Sequence, residues 1–96
     1  MIIQFIRLKS KLPEEELMRR AREREPRFRA LPGLLQKYYV KMKEPGAFGG
    51  IYVWDSEESL KAYRLSDLAA SIPGAYEVVE APEVESLEVL FQLRAS

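Results

Sequence analysis

The segment at residues 45–54, PGAFGGIYVW, constrains the fold more than any other part of the chain. The tetrapeptide EPGA at residues 44–47 is typical of a type II turn, because its proline fixes φ at the second position and its glycine supplies the positive φ of the third. The turn joins two runs rich in β-branched and aromatic residues, at residues 34–43 and 48–54. We therefore expect a β-hairpin at the centre of a sheet, with helices packed across it.

The second run of this hairpin contains two adjacent glycines, Gly49 and Gly50. Glycine is unfavourable within a strand, and where it occurs it commonly marks a bulge or a place where another backbone or a ligand comes close. We therefore expect a bulge, packing under a helix, or the close approach of another backbone or a ligand at this pair.

The segments that flank the hairpin are predicted to be helices. The first begins at Pro13, followed by three glutamates that suit the positive end of a helix dipole, and Pro26 is expected to end or kink it. The second helix is capped by Asp55 or Ser56 and carries an apolar stripe. It is expected to stop at the proline-glycine pair of residues 73 and 74, and a step at Leu65 or Ser66 would split it in two.

Three further segments have the patterns of strands. Residues 2–9 form the first strand, residues 76–80 a short edge strand, and residues 87–93 the closing strand. The main order is strand, helix, strand, strand, helix, strand, which is the ferredoxin-like unit of the α+β class, an antiparallel sheet with two helices on one face. We predict one such domain over residues 1–96.

The other face of such a sheet would carry large apolar side chains. Ile3 and Phe5 alternate with Ile2, Gln4 and Ile6, so both sides of the first strand begin apolar. A monomer of 96 residues rarely exposes a contiguous apolar surface of that size. We therefore predict a homodimer in which two sheets pack face to face, forming a dimeric α/β barrel.

The composition excludes several kinds of chemistry. The chain has no cysteine, histidine, asparagine or threonine, which removes thiolate and imidazole metal ligands and the Ser/His/Asp triad. It has no long apolar run and begins directly in a strand pattern, so we expect no membrane association and a cytoplasmic protein. The lack of Asn and Cys beside abundant Glu and Arg is typical of thermophiles.

Charge is distributed unevenly along the chain although the net charge is zero. Residues 1–48 contain 12 Lys or Arg and 6 acids, whereas residues 49–96 contain 3 and 9. The halves form either two differently solvated faces or complementary surfaces between subunits.

Three segments carry a resemblance to a known superfamily: LPGLLQKYY at residues 31–39, GGIYVW at residues 49–54 and SLKAY at residues 59–63. The chain resembles the dimeric α/β-barrel proteins, and more narrowly the YdhR-type monooxygenases, over about residues 2–94. The resemblance implies a ligand cavity between sheet and helices in each subunit. The superfamily includes cofactor-independent oxygenases of polycyclic phenols and haem-degrading monooxygenases.

The sequence departs from the haem-degrading members. These rely on an Asn, a Trp and a His, whereas in this chain the Asn position falls at Arg7 and the second-helix Trp position falls near Tyr63. What the resemblance implies is therefore a cofactor-independent monooxygenase acting on a small aromatic or phenolic ligand. A phenolate can itself reduce O₂, so the protein need supply only a dry, shaped pocket, hold the anion and manage one proton.

Six charged or aromatic side chains are candidates for this site. Arg7 would pair with the substrate anion, and Tyr63 or Tyr39 would donate or relay a proton. Trp54 or Tyr52 would stack on a substrate ring. The full set of candidates is Tyr63, Arg7 and Tyr39 as catalytic residues, and Trp54, Tyr52 and Arg64 as substrate-binding residues.

Each candidate also has a purely structural interpretation. Tyr63 has the spacing of a core residue on its helix, and Tyr52 and Trp54 would equally suit the sheet core or a dimer interface. Arg7 could equally form a structural ion pair, and Arg64 could simply face solvent.

Two other classes of function are consistent with the same order of strands and helices. An RNA-recognition module shares the element order, and FGGIYV at residues 48–53 resembles its third-strand motif, but Gly50 and Val53 stand where aromatic residues are needed and the net charge is zero. We therefore expect no nucleic-acid partner. A non-catalytic dimer that binds a small ligand, such as a sensor or stress protein, is the alternative to the enzyme.

Overall fold

The computed structural model describes residues 1–94 and shows the predicted order of elements. The elements are β1 (Ile2–Lys9), α1 (Glu14–Arg29), β2 (Leu34–Lys41), β3 (Ala47–Trp54), α2 (Glu57–Arg64), α3 (Asp67–Ala70), α4 (Ile72–Ala75) and β4 (Glu83–Glu88). The strands form one antiparallel sheet in the order β2-β3-β1-β4, with the helices on one face. The protein therefore has the expected α+β ferredoxin-like fold.

The core lies between the helices and the two central strands. β1 and β3 pair from Ile2 opposite Trp54 to Lys9 opposite Ala47, so alternate residues of both strands share the face under the helices. The buried side chains on that face are Gln4, Ile6 and Leu8 from β1, and Phe48, Tyr52 and Trp54 from β3. Phe28 of α1 and Leu60 of α2 are also buried and pack against these side chains from the helix layer.

The central hairpin is formed as predicted. Gly46 has φ +79°, and the Ala47 N–H donates to the Glu44 carbonyl at 3.2 Å, as a type II turn requires. The bulge lies elsewhere, in β2, where Leu34 pairs with Trp54 but Gln36 pairs with the preceding Val53. Leu35 is therefore the extra residue, and the glycine pair sits in a regular ladder.

The glycine pair instead allows strand β1 and the Tyr52 side chain to approach the backbone of β3 closely. A Cβ on Gly49 would lie 2.6 Å from the Ile6 carbonyl oxygen, a distance that real Cβ atoms essentially never show. A Cβ on Gly50 would lie 2.9 Å from the Tyr52 ring. These positions therefore need glycine because β1 and the Tyr52 side chain occupy the space.

The structure corrects where both predicted helices end, but the predicted step at Leu65 or Ser66 is confirmed, because α2 ends at Arg64 and α3 begins at Asp67. α1 continues through Pro26 to Arg29, because proline removes one backbone donor only, the Ala30 N–H still donates to the Pro26 carbonyl, and buried Phe28 anchors the last turn. The residues after Ser66 form two single turns, α3 and α4, and the proline-glycine pair of residues 73 and 74 lies inside the second. Proline is tolerated there because it occupies the first turn.

The two C-terminal strand predictions are also wrong. Residues 76–80 form only an isolated bridge, between Ser10 and Val78. The closing strand is Glu83–Glu88 rather than residues 87–93, because its partner β1 begins at Ile2, which lies opposite Glu88. The apolar side chains beyond it are largely exposed: Leu90 by 90%, Phe91 by 81% and Leu93 by 83%.

The face of the sheet away from the helices carries large apolar side chains, as predicted. Phe5 of β1, Ile51 of β3 and Tyr38 of β2 lie side by side across it. Tyr38 is 54% exposed in the single subunit, and Ile51 is only partly buried. We refer to this surface as the open face.

Ion pairs join the two halves of opposite charge within the subunit. Arg7 pairs with Glu83 at 3.8 Å, Lys9 with Glu80 at 3.4 Å and Arg20 with Glu77 at 3.3 Å. The two halves therefore contact each other through opposite charges within one subunit. Within residues 1–94, no helix combines the length and the apolar character needed to cross a membrane.

Candidate functional site

A cavity of about 510 Å³ lies between α1 and the β2–β3 hairpin. Leu17, Met18 and Ala21 of α1 form one wall, because they recur at helical spacing on the side that faces the sheet. Lys37 and Tyr39 of β2 and Tyr52 of β3 are among the residues that form the other. Its volume is in the range of small-molecule sites.

The side-chain amine of Lys37 lies among aromatic rings at this cavity. Its Nζ atom is 3.4 Å from the ring centroid of Phe28, 4.3 Å from that of Tyr39 and 4.6 Å from that of Tyr52. Within residues 1–94 it forms no ion pair with a carboxylate and no side-chain hydrogen bond. A partly buried amine without an acidic partner is unusual, because the desolvated charge is costly.

Burial lowers the pKa of the Lys37 amine from its ordinary 10.5 to about 7, and the nearby positive charge of Arg24 contributes to the same shift. The three ring faces act in the opposite direction, since they attract the charged ammonium form. The neutral amine and the ammonium are therefore both accessible near neutral pH, which is what a residue that accepts and returns a proton requires.

Two buried phenols meet beside the amine. The hydroxyl groups of Tyr52 and Tyr63 are 3.3 Å apart. Burial raises the pKa of both phenols, so both are neutral at physiological pH and each can donate or accept a hydrogen bond. Tyr39 is 47% exposed at the cavity, and burial raises its pKa to about 12. The three tyrosines can therefore hold or relay a proton without themselves ionising.

Trp54 lies behind this group in the core. It is completely buried, its Nε1–H donates to the Gln4 side-chain oxygen at 3.0 Å, and its ring is parallel to that of Tyr52 at a centroid distance of 6.2 Å. Its ring centroid is also 5.3 Å from that of Tyr63. Trp54 therefore supports the tyrosines and does not itself line the cavity.

The two arginine candidates lie outside the cavity. Arg7 is on the open face, where it pairs with Glu83 and lies 5.5 Å from the ring of Phe5. Arg64 is exposed in the last turn of α2. Of the six predicted site residues, the structure thus brings Tyr39 and Tyr52 to the cavity and Tyr63 into contact with Tyr52.

Lys37 was not among the site residues predicted from the sequence, although the pairing of β2 with β3 could have indicated it. Lys37, Tyr39 and Lys41 alternate along β2, and such a polar side normally faces solvent. In the sheet, Lys37 lies opposite Tyr52, and Tyr39 lies opposite Gly50. Aligning the hairpin from its turn would have placed the lysine beside the aromatic residues under the helix.

The structure offers little to hold a metal ion. Within residues 1–94, no three acidic side chains gather closely enough to bind one. The polar groups at the cavity are an amine, phenols and a few surface charges, a set suited to an organic ligand.

These features define a ferredoxin-like domain with a ligand-sized, aromatic-walled cavity under its first helix. The chain belongs to the family described as "Putative mono-oxygenase ydhR", whose model matches residues 2–85. The family suggested by the sequence is thereby confirmed. No functionally curated protein matches the chain.

Solved structures with similar folds agree with this assignment. The "protein of unknown function" NE2512 from Nitrosomonas europaea is 24% identical, with a TM-score of 0.77 over 99% of this chain and 95% of that one. A "putative antibiotic biosynthesis monooxygenase" from Caulobacter crescentus is 20% identical, with a TM-score of 0.77 over 94% and 90%. SnoaB, a cofactor-independent oxygenase from Streptomyces nogalater, is 11% identical, with a TM-score of 0.76 over 98% and 97%. At these identities the similarity establishes the fold.

Proposed function

We propose that the protein is a cofactor-independent monooxygenase whose substrate, a small aromatic phenol, binds in the cavity under α1. The observation that carries the proposal is an apolar cavity of about 510 Å³, walled by aromatic rings, in a chain of a monooxygenase family. The similar fold of SnoaB, itself described as a cofactor-independent oxygenase, supports the absence of a cofactor.

The cavity suits a substrate that supplies its own electrons. A phenolate is electron-rich enough to reduce O₂, and apolar walls keep water away from the reactive intermediate. The rings of Tyr39, Phe48 and Tyr52, which line the cavity, provide faces for an aromatic ligand. We propose that Tyr39 and the Tyr52–Tyr63 pair hold the substrate oxygen and relay its proton, and we assign no role there to Arg7 or Arg64.

Oxygen consumption with a panel of anthrones and hydroquinones tests the proposal. We expect uptake by the wild type, and a loss of about 10-fold or more in kcat/KM for Tyr39→Phe and Tyr63→Phe, because each removes a proton-carrying hydroxyl but keeps the ring. Arg64→Ala is the matched control and should retain activity, because Arg64 lies outside the cavity.

A lack of oxygen uptake with every member of the panel would contradict the enzyme. If the same compounds then raise the melting temperature of the protein, the cavity binds ligands without chemistry, and the alternative of a non-catalytic binding module replaces the monooxygenase.

We also propose that the protein is a homodimer through the open face. Partly buried Ile51 lies between Phe5 and Tyr38 on that face, so the apolar surface is continuous across three strands. Packing two such faces together would bury it, and a two-fold axis makes the surface complementary to itself. Sedimentation at micromolar concentration should give a dimer, whereas a stable monomer would contradict this proposal.

A further inference from the structure

We propose that Lys37 is the base that removes the proton from the substrate hydroxyl group, an inference that rests on the proposed function. The position of the Lys37 amine is the first argument for this role. The Lys37 side chain lines the cavity, and its amine lies against the rings of Phe28, Tyr39 and Tyr52. Of these rings, Tyr39 and Tyr52 line the cavity and offer faces on which an aromatic substrate would stack. A substrate hydroxyl in this cavity can therefore reach the amine.

The surroundings of Lys37 favour a reversible change of charge. The amine has no carboxylate partner among residues 1–94 that would hold it permanently as an ammonium ion. Once protonated, it faces ring surfaces that attract a cation, and the phenolate it creates lies beside it. The other ionisable groups around it are Arg22, Arg24 and Glu25 of α1, Tyr39 of β2, Tyr52 of β3, Tyr63 of α2 and Tyr76 after α4.

Lys41 provides a natural comparison on the same strand. It lies four residues further along β2 on the same side, but it is exposed and pairs with Glu14 at 3.1 Å. Substituting Lys41 therefore removes a lysine from the same side of the strand without changing the lining of the cavity.

The proton transfer fits a balanced reaction. In its phenolic tautomer, an anthrone gives its hydroxyl proton to the neutral Lys37 amine and becomes a phenolate. The anion then transfers electrons to O₂, and the carbon that was CH₂ becomes C=O. One oxygen atom enters the product and the other leaves as water, taking both hydrogens of the former CH₂, one of them returned by the Lys37 ammonium. The substrate is the only reductant, so no external electron donor is needed.

The pH profile of kcat/KM tests this role in three variants. The wild type should lose activity below about pH 7, as the amine becomes protonated. Lys37→Met keeps an unbranched side chain and should lose about 100-fold or more at pH 7, and Lys37→Arg should lose a similar factor, because guanidinium cannot accept a proton. Lys41→Met should behave as the wild type. The Lys37→Met deficit should shrink as pH rises and the substrate ionises in solution, because a base is then unnecessary.

A binding measurement tests the same role without turnover. The absorption spectrum of 4-nitrophenol distinguishes its phenol from its phenolate form. On the acidic side of its own titration, the ligand should bind to the wild type as phenolate and to Lys37→Met as neutral phenol. Circular dichroism of each variant establishes that the fold is retained.

The outcomes separate the two proposals. Full activity of Lys37→Arg, or turnover by Lys37→Met with the wild-type pH profile, would overturn the role of Lys37 and leave the monooxygenase intact. The same spectrum of bound 4-nitrophenol in the wild type and Lys37→Met would also overturn it. No oxygen uptake by the wild type would overturn the proposed function and with it the base, whatever the binding spectra show.

Discussion

The Lys37 amine should reduce the stability of the folded protein at neutral and acidic pH. Its pKa is about 7 in the folded state but 10.5 when exposed, so between these values the unfolded chain binds more protons. The free energy of unfolding therefore rises with pH across this range, and the full penalty applies below pH 7. The shift sets an upper bound of about 5 kcal/mol, which the attraction of the rings reduces.

We expect Lys37→Met to stabilise the protein at pH 6 by on the order of 1 to 3 kcal/mol. The gain should decline as pH rises and disappear near pH 10.5, where the wild-type amine is neutral in both states. Urea unfolding at several pH values measures it. Lys41→Met should show no such gain, because Lys41 is exposed, and a gain of Lys37→Met that does not change with pH would contradict the burial of an ionisable amine.

The Gln4–Trp54 hydrogen bond gives a second prediction at the level of single residues. Gln4 is 1% exposed and its oxygen accepts the Trp54 Nε1–H, so Gln4→Leu leaves a buried donor without a partner. We expect a loss of about 1 to 3 kcal/mol in the free energy of unfolding. The loss should be smaller when measured in a Trp54→Phe background, since no indole N–H remains; equal losses in both backgrounds would contradict the role of the bond.

At the level of elements, the β1–β3 pair depends on the absence of a side chain at Gly49. Gly49→Ala would place a Cβ 2.6 Å from the Ile6 carbonyl oxygen, and backbone atoms cannot move aside easily. We expect destabilisation by about 1 to 3 kcal/mol in urea unfolding. Gly74→Ala is the control, because nothing lies within 4 Å of its Cβ position and α4 is helical. Equal stability of the two variants would show that the sheet adjusts freely.

The elements defined by local chemistry were predictable, and those defined by distant partners were not. The hairpin follows from its turn, and the Ser56 cap of α2 follows from a hydroxyl that accepts the Ser59 N–H. The closing strand was misplaced because the apolar run after Glu88 has the stronger strand pattern, yet β1 provides no partner there. Long-range pairing, rather than propensity, decided the outcome.

The candidate site was predictable only in part for a related reason. The aromatic residues of β3 could be placed by alternation, and Tyr39 and Tyr52 do line the cavity. Leu34 and Lys37 are three residues apart, so a regular strand would place them on opposite faces. The bulge at Leu35 puts both on the helix face. Alternation alone could not show this, because a bulge changes the count by one.

At the level of the whole molecule, the open face predicts how the subunit assembles. Ile51 lies in its middle, so Ile51→Lys would bury a charge in the proposed dimer interface but leave the helix side of the sheet unchanged. We expect monomers in sedimentation, with the circular dichroism of the folded state. Val84→Lys is the matched control, because Val84 is exposed and lies on the other side of the sheet, opposite Ile6.

Two results would contradict a dimer interface at the open face. If Ile51→Lys sediments as the wild type does, the open face is not the interface. If both lysine variants become monomeric, the effect is one of charge rather than of position on the sheet.

The overhang after β4 has a consequence for how the protein behaves in concentrated solution. Within β4, glutamates at 83, 85 and 88 repel a foreign strand from the free edge, the usual protection against aggregation. The five residues that follow, VLFQL, carry no charge until Arg94. We expect aggregation to begin at this uncharged segment wherever another subunit does not cover it. Ending the chain at Glu88 should therefore extend its shelf life if that segment makes no essential contact.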